Sequence, residues 1–232
     1  MFENIIKNVH NRHPLIHCIT NYVSINDCAN IVLACGGAPI MAEDINEVSQ
    51  ITSICQGLDI NIGMLNDNKL SSMLKAGATA NELGIPVILD PVGAGSSDYR
   101  IKAVQNLMSN VQFGVIRGNV SEIKAIAAKQ GIHNISAGVY DTMQKDKSAM
   151  GVEAGIADKI TDDNIKEMAD FINKLSQKTG AVIAVTGRID MVADENRVYA
   201  IRNGHKMMSL VTGAGCQLSA LTSAYVLSLI HI

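Results

Sequence analysis

The stretch Thr212-Gly213-Ala214-Gly215-Cys216 combines residue types that are suited to binding an anion. Two glycines let the backbone approach a ligand closely, and a helix predicted over 216–229 would direct backbone N–H groups at that ligand. We therefore predict an anion hole built from the backbone of Gly213, Ala214, Gly215 and Cys216. A simple helix-capping turn is the alternative interpretation.

Cys216 is a candidate catalytic residue because it lies at the start of that predicted helix. A helix N-terminus lowers the pKa of a thiol, so we expect the thiolate of Cys216 to be favoured. A buried structural cysteine is the alternative, and it is the interpretation that we adopt for Cys18, Cys28, Cys35 and Cys55. The five cysteines include no C-x-x-C pair, and no secretory signal is recognised, which predicts reduced thiols in a cytoplasmic protein.

Two carboxylates and two phosphate-binding candidates follow predicted strands. Asp90 and Glu122 are candidates for a site near a phosphate-bound Mg²⁺, which usually keeps several waters. The alternatives are a turn residue for Asp90 and, for Glu122, a capping box with Asn119. Arg117 closes an apolar strand and suits a phosphate contact. Thr186 either donates to a phosphate or merely ends a strand.

Composition and missing motifs exclude several classes of protein. The net charge of −3, the absence of a basic run, 3% aromatic residues and no Trp argue against a nucleic-acid partner. No run approaches the roughly 18 apolar residues that a membrane span needs. The third glycine of a dinucleotide-binding loop and the motif G-x-x-x-x-G-K-[ST] are both missing. The histidines at 10, 13 and 17 fall on different predicted elements, so we do not expect them to bind a metal.

Short apolar runs that alternate with helical periods must position these residues. The pattern predicts a three-layer α/β/α fold with a mainly parallel central sheet. Predicted strands cover 15–20, 38–41, 58–63, 86–90, 113–117 and 181–186, and an antiparallel hairpin covers 190–193 and 197–202. Predicted helices cover 24–35, 43–55, 68–83, 97–109, 120–130, 163–178 and 216–229. Residues 131–160 are predicted to form a loop or lid.

We expect residues 1–232 to form a single domain. The sequence stops within an apolar helical period without a cap, so we predict that the chain is truncated at its C-terminus. The ends of parallel strands gather at one edge of a sheet, and ligands of such sheets bind there. The candidate residues above are therefore expected to form one site.

Six blocks of sequence, in order along almost the whole chain, resemble the hydroxyethylthiazole kinase family of the ribokinase-like superfamily. The blocks are ITNYV at 19–23, GGAPIMA at 36–42, LDPVGAG at 89–95, RGNVSEI at 117–123, AVTG at 184–187 and GAGCQLS at 213–219. The resemblance implies a ribokinase-like fold and ATP-dependent phosphorylation of the primary hydroxyl of 4-methyl-5-(2-hydroxyethyl)thiazole, a salvage step towards thiamine. It also implies a homotrimer with active sites between subunits.

The resemblance further implies roles for individual residues. Met41 and Gly213 match thiazole-binding positions, and Asn21 and Val23 lie where the family forms part of the same pocket. Cys216 matches the catalytic position, where related sugar kinases have an Asp that acts as a base.

The remaining matched positions concern the phosphoryl donor. Arg117 and Thr186 match ATP-binding positions, while Asp90 and Glu122 match the acidic positions around Mg²⁺ and phosphate. The family commonly has Thr where this chain has Ala214. We expect a small effect, since no backbone donor is lost.

Three alternative functions stay open at this point. The nearest is a sibling kinase that acts on hydroxymethylpyrimidine or pyridoxal. A thiol enzyme with Cys216 as nucleophile would need a general base nearby, and no histidine shares a motif with Cys216. A non-catalytic protein that only binds the thiazole is the third.

Overall fold

The computed structural model describes residues 2–132 and 159–229, and these residues group into two compact units. The first unit contains residues 2–90, 107–114 and 209–229, and the second contains 91–106, 115–132 and 159–208. Most of the predicted loop or lid at 131–160 lies outside the described residues. The prediction of a single domain stays a prediction.

The described residues form eight α-helices, eight strands and one short 3₁₀ helix. The helices are α1 Phe2–Arg12, α2 Ile25–Ala34, α3 Val48–Ile54, α4 Asp67–Glu82, α5 Asp98–Asn110, α6 Val120–Lys129, α7 Ile165–Thr179 and α8 Ala214–Leu229. The strands are β1 Leu15–Ile19, β2 Ala38–Ile40, β3 Gly57–Asn61, β4 Val87–Asp90, β5 Val115–Asn119, β6 Val182–Thr186, β7 Asp190–Ala193 and β8 Val198–Ile201. The 3₁₀ helix covers Lys206–Leu210.

The first unit is built on four parallel strands in the order β2, β1, β3, β4. Every residue of β3 and β4 is buried, which requires cover on both faces. This burial explains why the apolar residues of β4 follow one another without alternation. Helix α8 packs against β1, β3 and β4 and also contacts α1 and α2. Helix α8 thus packs against three of the four strands of this unit.

The second unit contains a parallel pair and an antiparallel hairpin. Strands β5 and β6 are parallel, and β6, β7 and β8 are antiparallel neighbours. The hairpin turns at Asp194, whose Oδ1 accepts from the backbone N–H groups of Asn196 and Arg197, both at 2.7 Å. The predicted α/β class, with mainly parallel strands and this hairpin, is confirmed.

The predicted bounds of one helix are wrong. Helix α3 begins at Val48 and not at 43, because the chain first makes an Asx turn at Asp44. The Oδ1 of Asp44 accepts from the backbone N–H of Asn46 at 2.8 Å, and its carbonyl accepts from Glu47 and Val48. The other predicted helices and strands agree with the structure to within two residues at either end.

His17 of β1 is a core residue whose two ring nitrogens both have partners. Its Nε2 lies 2.8 Å from the carbonyl oxygen of Ala42, and its Nδ1 lies 2.9 Å from Oγ1 of Thr52. A carbonyl only accepts, so Nε2 carries the proton and the neutral ring accepts at Nδ1 from the threonine hydroxyl. Within 2–132 and 159–229, no three His, Cys, Asp or Glu side chains are grouped so as to hold a metal ion.

We expect the free energy of unfolding to decrease as the pH falls below about 6.5. Burial lowers the pKa of His17, against the opposing effect of its hydrogen bond to Ala42. The unfolded histidine therefore takes up a proton first, and the stability present above pH 6.5 is lost as the pH falls towards the lower folded pKa. The slope for one proton is at most about 1.4 kcal/mol per pH unit. Urea unfolding between pH 5 and 8 measures it. An equal slope in the His17→Gln variant would show that another group is responsible.

Candidate active site

Three residues that the sequence analysis selected lie together at the start of α8. The amide Nδ2 of Asn21, just after β1, donates to Sγ of Cys216 at 3.2 Å. Gly213 has a φ of +73°, and a Cβ at this position would lie 2.7 Å from Cβ of Ser24. Only glycine combines this backbone conformation with so close an approach. The tight turn thus brings the first turn of α8 against Ser24 and Asn21.

The residues of the predicted anion hole lie at Gly213 and in the first turn of α8, and one of the backbone donors is engaged within the chain. The backbone N–H of Ala214 donates to the carbonyl of Val211 at 3.3 Å. This contact closes the turn that precedes the helix. The contribution of Ala214 to an anion hole would therefore require this long hydrogen bond to open.

A second set of buried polar residues adjoins Cys216. Asn61 and Asp90 end the neighbouring strands β3 and β4 and are paired in register. Nδ2 of Asn61 and Oγ of Ser219 both donate to Oδ2 of Asp90, each at 2.9 Å. Sequence reasoning missed Asn61 and Ser219. The predicted strand 58–63 ran two residues too far, which hid the fact that Asn61 stands at a strand end.

The expected stabilisation of the Cys216 thiolate is wrong. Burial raises the pKa of Cys216, and the negative charge of Asp90 raises it further. Hydrogen bonds with Ser24, Asn61 and Asn21 lower it but do not compensate. Only 8% of Cys216 is exposed, and this loss of solvent disfavours the charged thiolate. The thiol is therefore neutral near pH 7.

Met41 faces an open pocket of about 240 Å³ in the first unit. Apolar atoms provide more of its lining surface than polar atoms do. The lining residues are Cys18, Thr20, Tyr22, Ile25, Met41, Ala42 and Glu43. Val23 does not line it and is 67% exposed. The structure thus places Met41 beside a pocket and leaves Val23 at the surface.

A buried lysine contacts three of the residues that line this pocket. Nζ of Lys69 forms an ion pair with Oε2 of Glu43 at 2.8 Å and donates to the carbonyl of Thr20. It also lies 4.5 Å from the centre of the Tyr22 ring. Burial alone would raise the pKa of Glu43, but hydrogen bonds from Lys69 and Tyr22 outweigh burial and lower it. Glu43 is therefore an anion at neutral pH.

In the second unit, the two predicted ATP-binding residues lie in contact. Nη2 of Arg117 donates to Oγ1 of Thr186 at 2.6 Å. Both side chains belong to the parallel pair β5 and β6, near the carboxyl ends of these strands. A guanidinium is a planar fork of N–H donors, and this geometry suits phosphate oxygens.

Glu122 forms the predicted capping box at the start of α6. Its Oε2 accepts from the backbone N–H of Asn119 at 2.7 Å, and Oδ1 of Asn119 accepts from the N–H of Glu122 at 2.9 Å. Sequence reasoning missed a further contact: Oε1 of Glu122 accepts from the backbone N–H of Gly93 at 2.8 Å. The carboxylate thus ties the Gly-rich loop after β4 to α6, and both of its oxygens take part.

Comparison with known proteins identifies the family. Residues 6–229 match the sequence model of the hydroxyethylthiazole kinase family. The chain belongs to this family. A hydroxyethylthiazole kinase of Clostridium acetobutylicum is 52% identical over 226 residues, which cover 97% of this chain and 77% of that relative. The chain is therefore a phosphotransferase, as predicted.

Solved structures agree with the hydroxyethylthiazole kinase assignment. A structure titled hydroxyethylthiazole kinase from Pyrococcus horikoshii has a TM-score of 0.81 and 33% identity, over 98% of this chain and 77% of that one. A ribokinase-like superfamily protein from Enterococcus faecalis, with 10% identity, has a TM-score of 0.56 over 97% of this chain and 78% of that one, which concerns the fold alone. The predicted ribokinase-like fold class is confirmed. Among the helices described, none has the length and apolar character to cross a membrane.

In this thiazole kinase family member, we expect Glu122→Gln to lower the free energy of unfolding by about 1–3 kcal/mol. Glutamine has only one side-chain oxygen. The backbone N–H of either Gly93 or Asn119 would therefore face the side-chain NH₂ group of the new glutamine. Urea unfolding measures the loss. The exposed Glu195→Gln change is the control in the same unit, and an equal effect of both variants would contradict a special role for Glu122.

Proposed function

We propose that this chain transfers the γ-phosphoryl group of ATP to the primary hydroxyl of 4-methyl-5-(2-hydroxyethyl)thiazole. The observation that carries the proposal is the contact between Asn21 and Cys216, with Gly213 beside it, in one buried site of a family member. Asn21, which the resemblance assigned to the substrate pocket, thus meets Gly213 and Cys216, although Asn21 and Cys216 are 195 positions apart in sequence.

On the acceptor side, Cys216 has the proton-transfer role in our proposal. The hydroxyl oxygen attacks the γ-phosphorus, the bond to the β-phosphate oxygen breaks, and the thiolate of Cys216 takes the hydroxyl proton. Because burial and Asp90 raise the pKa of Cys216, only a small fraction of thiolate exists at neutral pH. The rate should therefore increase with pH. The pocket beside Met41 supplies apolar surface that suits a thiazole ring.

On the donor side, Arg117 with Thr186 would bind phosphate oxygens, and backbone N–H groups of the first turn of α8 would stabilise charge on the transferred group. Phosphoryl transfer needs mainly positioning and charge neutralisation, which these groups supply. Arg117 provides a planar cation whose orientation Thr186 holds. This division predicts that Arg117 chiefly affects the KM for ATP.

The carboxylates fit a magnesium ion by their chemistry. Asp90 and Glu122 present oxygen ligands, which Mg²⁺ prefers, and both have their orientation set by N–H or O–H donors. Since both oxygens of Glu122 accept from backbone N–H groups, Glu122 would act through water. When bound with ATP, Mg²⁺ would neutralise phosphate charge. Asp90 and Glu122 are the residues that we propose for holding it.

We also propose a cytoplasmic homotrimer. The five free, buried cysteines suit a reducing compartment. The exposed apolar side chains of Tyr22, Val23 and Leu33 in the first unit suit a contact between subunits. Sedimentation equilibrium tests the assembly directly.

ADP release with Mg-ATP tests the proposed reaction. The acceptors are the thiazole alcohol, hydroxymethylpyrimidine, pyridoxal and none. We expect ADP with the thiazole alcohol in clear excess over the other acceptors, and a phosphorylated thiazole by mass spectrometry. ADP with another acceptor alone would establish a sibling kinase. Thiazole binding without ADP from a folded chain would contradict the proposal and favour a binding protein.

A further inference from the structure

The orientation of the Asn21 side-chain amide is fixed by a backbone group. The backbone nitrogen and the side-chain Oγ of Ser24 each lie 3.1 Å from Oδ1 of Asn21, and both donate to it. A backbone N–H only donates, so the atom facing it is the amide oxygen. The NH₂ group of Asn21 must then face the other way, towards Oδ1 of Asn61 at 3.1 Å and Sγ of Cys216 at 3.2 Å.

The amide of Asn61 is fixed in the same manner. The backbone N–H of Gly63 donates to Oδ1 of Asn61 at 2.8 Å, and this oxygen also accepts from Asn21. The NH₂ group of Asn61 therefore faces Oδ2 of Asp90 at 2.9 Å. No alternative rotation of either amide would keep these backbone donors satisfied.

The two amides form one buried chain from a carboxylate to a sulfur atom. Asp90 and Asn61 are fully buried, and Asn21 and Cys216 nearly so. Buried polar groups of this kind are costly unless all of them are satisfied, so the chain has one favourable arrangement. Cys216 is an acceptor in that arrangement, as a thiolate needs. Asn61 also lowers the pKa of the Cys216 thiol, against the effect of burial.

We propose that Asn61 is a positioning residue for the phosphoryl transfer. It joins the Asp90 carboxylate to the Asn21 amide and so keeps the sulfur of Cys216 and this carboxylate in a fixed relation. The inference rests on the proposed function, because it assigns to Asn61 the placement of two groups that this reaction uses. Asn61 itself does not contact the substrate in this proposal.

Ser219 provides a matched control. Its hydroxyl donates to the same oxygen of Asp90 at the same 2.9 Å, but it does not hydrogen-bond to Asn21. Ser219→Ala and Asn61→Ala each remove one donor to Asp90, and only the latter removes the link to Asn21. A comparison of the two separates the amide chain from a general disturbance of Asp90.

The first measurement is the rate of Cys216 alkylation by iodoacetamide as a function of pH, without substrates. Mass spectrometry of the peptide that contains Cys216 separates it from the other cysteines. We expect Asn61→Ala to raise the midpoint of the profile by about one pH unit. Ser219→Ala should leave the midpoint unchanged. A midpoint, unlike a single rate, does not depend on how easily the reagent enters.

The second measurement is steady-state kinetics with the thiazole alcohol. We expect Asn61→Ala to lower kcat about tenfold or more, with little change in the KM of the thiazole, because Asn61 does not line the Met41 pocket. An unchanged midpoint in Asn61→Ala, or an equal shift in Ser219→Ala, would overturn the proposal. If Asn61→Ala does not fold by circular dichroism, Asn61→Ser must give the same shift. Alkylation needs no turnover, so an inactive wild-type chain would refute the proposed function through a different measurement.

Discussion

Replacing Cys216 with alanine should lower kcat for the thiazole alcohol by about 10²–10⁴-fold, the usual contribution of a general base. In the wild type, kcat should rise with pH, because burial and Asp90 raise the pKa of the Cys216 thiol and its thiolate becomes abundant only in alkali. The alanine variant should lose this rise. Initial rates of ADP release between pH 6 and 10 measure both effects.

Two further cysteine variants make this experiment decisive. Cys28 is also buried in the first unit, and its Sγ lies 3.9 Å from Oγ of Ser24. Cys28→Ala should lose stability but keep kcat within about twofold, because only Cys216 accepts from Asn21 in our proposal. Full turnover of Cys216→Ser at every pH would disprove proton transfer by Cys216 and leave it a role in shaping the pocket.

Gly213→Ala should lower kcat/KM at least about a hundredfold, which is the cost of a misplacement of about 1 Å at a catalytic group. The new Cβ would lie 2.7 Å from Cβ of Ser24, where there is no flexible side-chain end that could move away. The φ of +73° adds backbone strain for any residue with a Cβ. The first turn of α8, and with it Cys216, must shift. Steady-state kinetics and thermal unfolding measure the two consequences.

Gly84 supplies the matched control for this variant. It has a φ of +68°, but a Cβ at this position would meet nothing within 4 Å. Gly84→Ala therefore carries the backbone strain without the collision, and it should lose about 1–2 kcal/mol of stability while keeping its activity. Equal losses of activity in the two variants would show that strain alone, and not the contact with Ser24, explains the effect.

Most helices and strands could be predicted because each is specified by residues that are close together in the sequence. Strands such as β4 are short apolar runs bounded by turn residues, and the helices between them have an apolar face. Helix α3 was predicted too long because the Asx turn at Asp44 depends on a side-chain hydrogen bond that hydrophobic periodicity does not register. Contacts between residues that are far apart in the sequence could not be predicted from such local signals.

The candidate site could be predicted only in part, because some of its residues are recognised from the sequence and others only from contacts in the folded chain. Asn21, Asp90, Cys216 and Ser219 belong to sequence blocks that resemble a known family, whereas Asn61 does not. The contacts of Asn61 and Ser219 with Asp90 form only when β3, β4 and α8 pack together. The pKa of Cys216 was predicted in the wrong direction. The helix start is visible in the sequence, but the burial of the thiol and the proximity of Asp90 are products of the folded chain.

The first unit is assembled from segments that are far apart in the sequence, and this has a consequence for the order in which the protein folds. Asn21 and Cys216 touch, although they are 195 positions apart, and α8, which packs on β1, β3 and β4, is the last of the described helices. A ribosome releases these strands well before α8 exists, since synthesis proceeds from the N-terminus. The apolar surface on which α8 packs is therefore not yet covered by α8 while the second unit is synthesised. Cys216, the proposed catalytic residue, thus arrives with the helix that completes this core, so a nascent chain acquires the proposed site only when α8 packs.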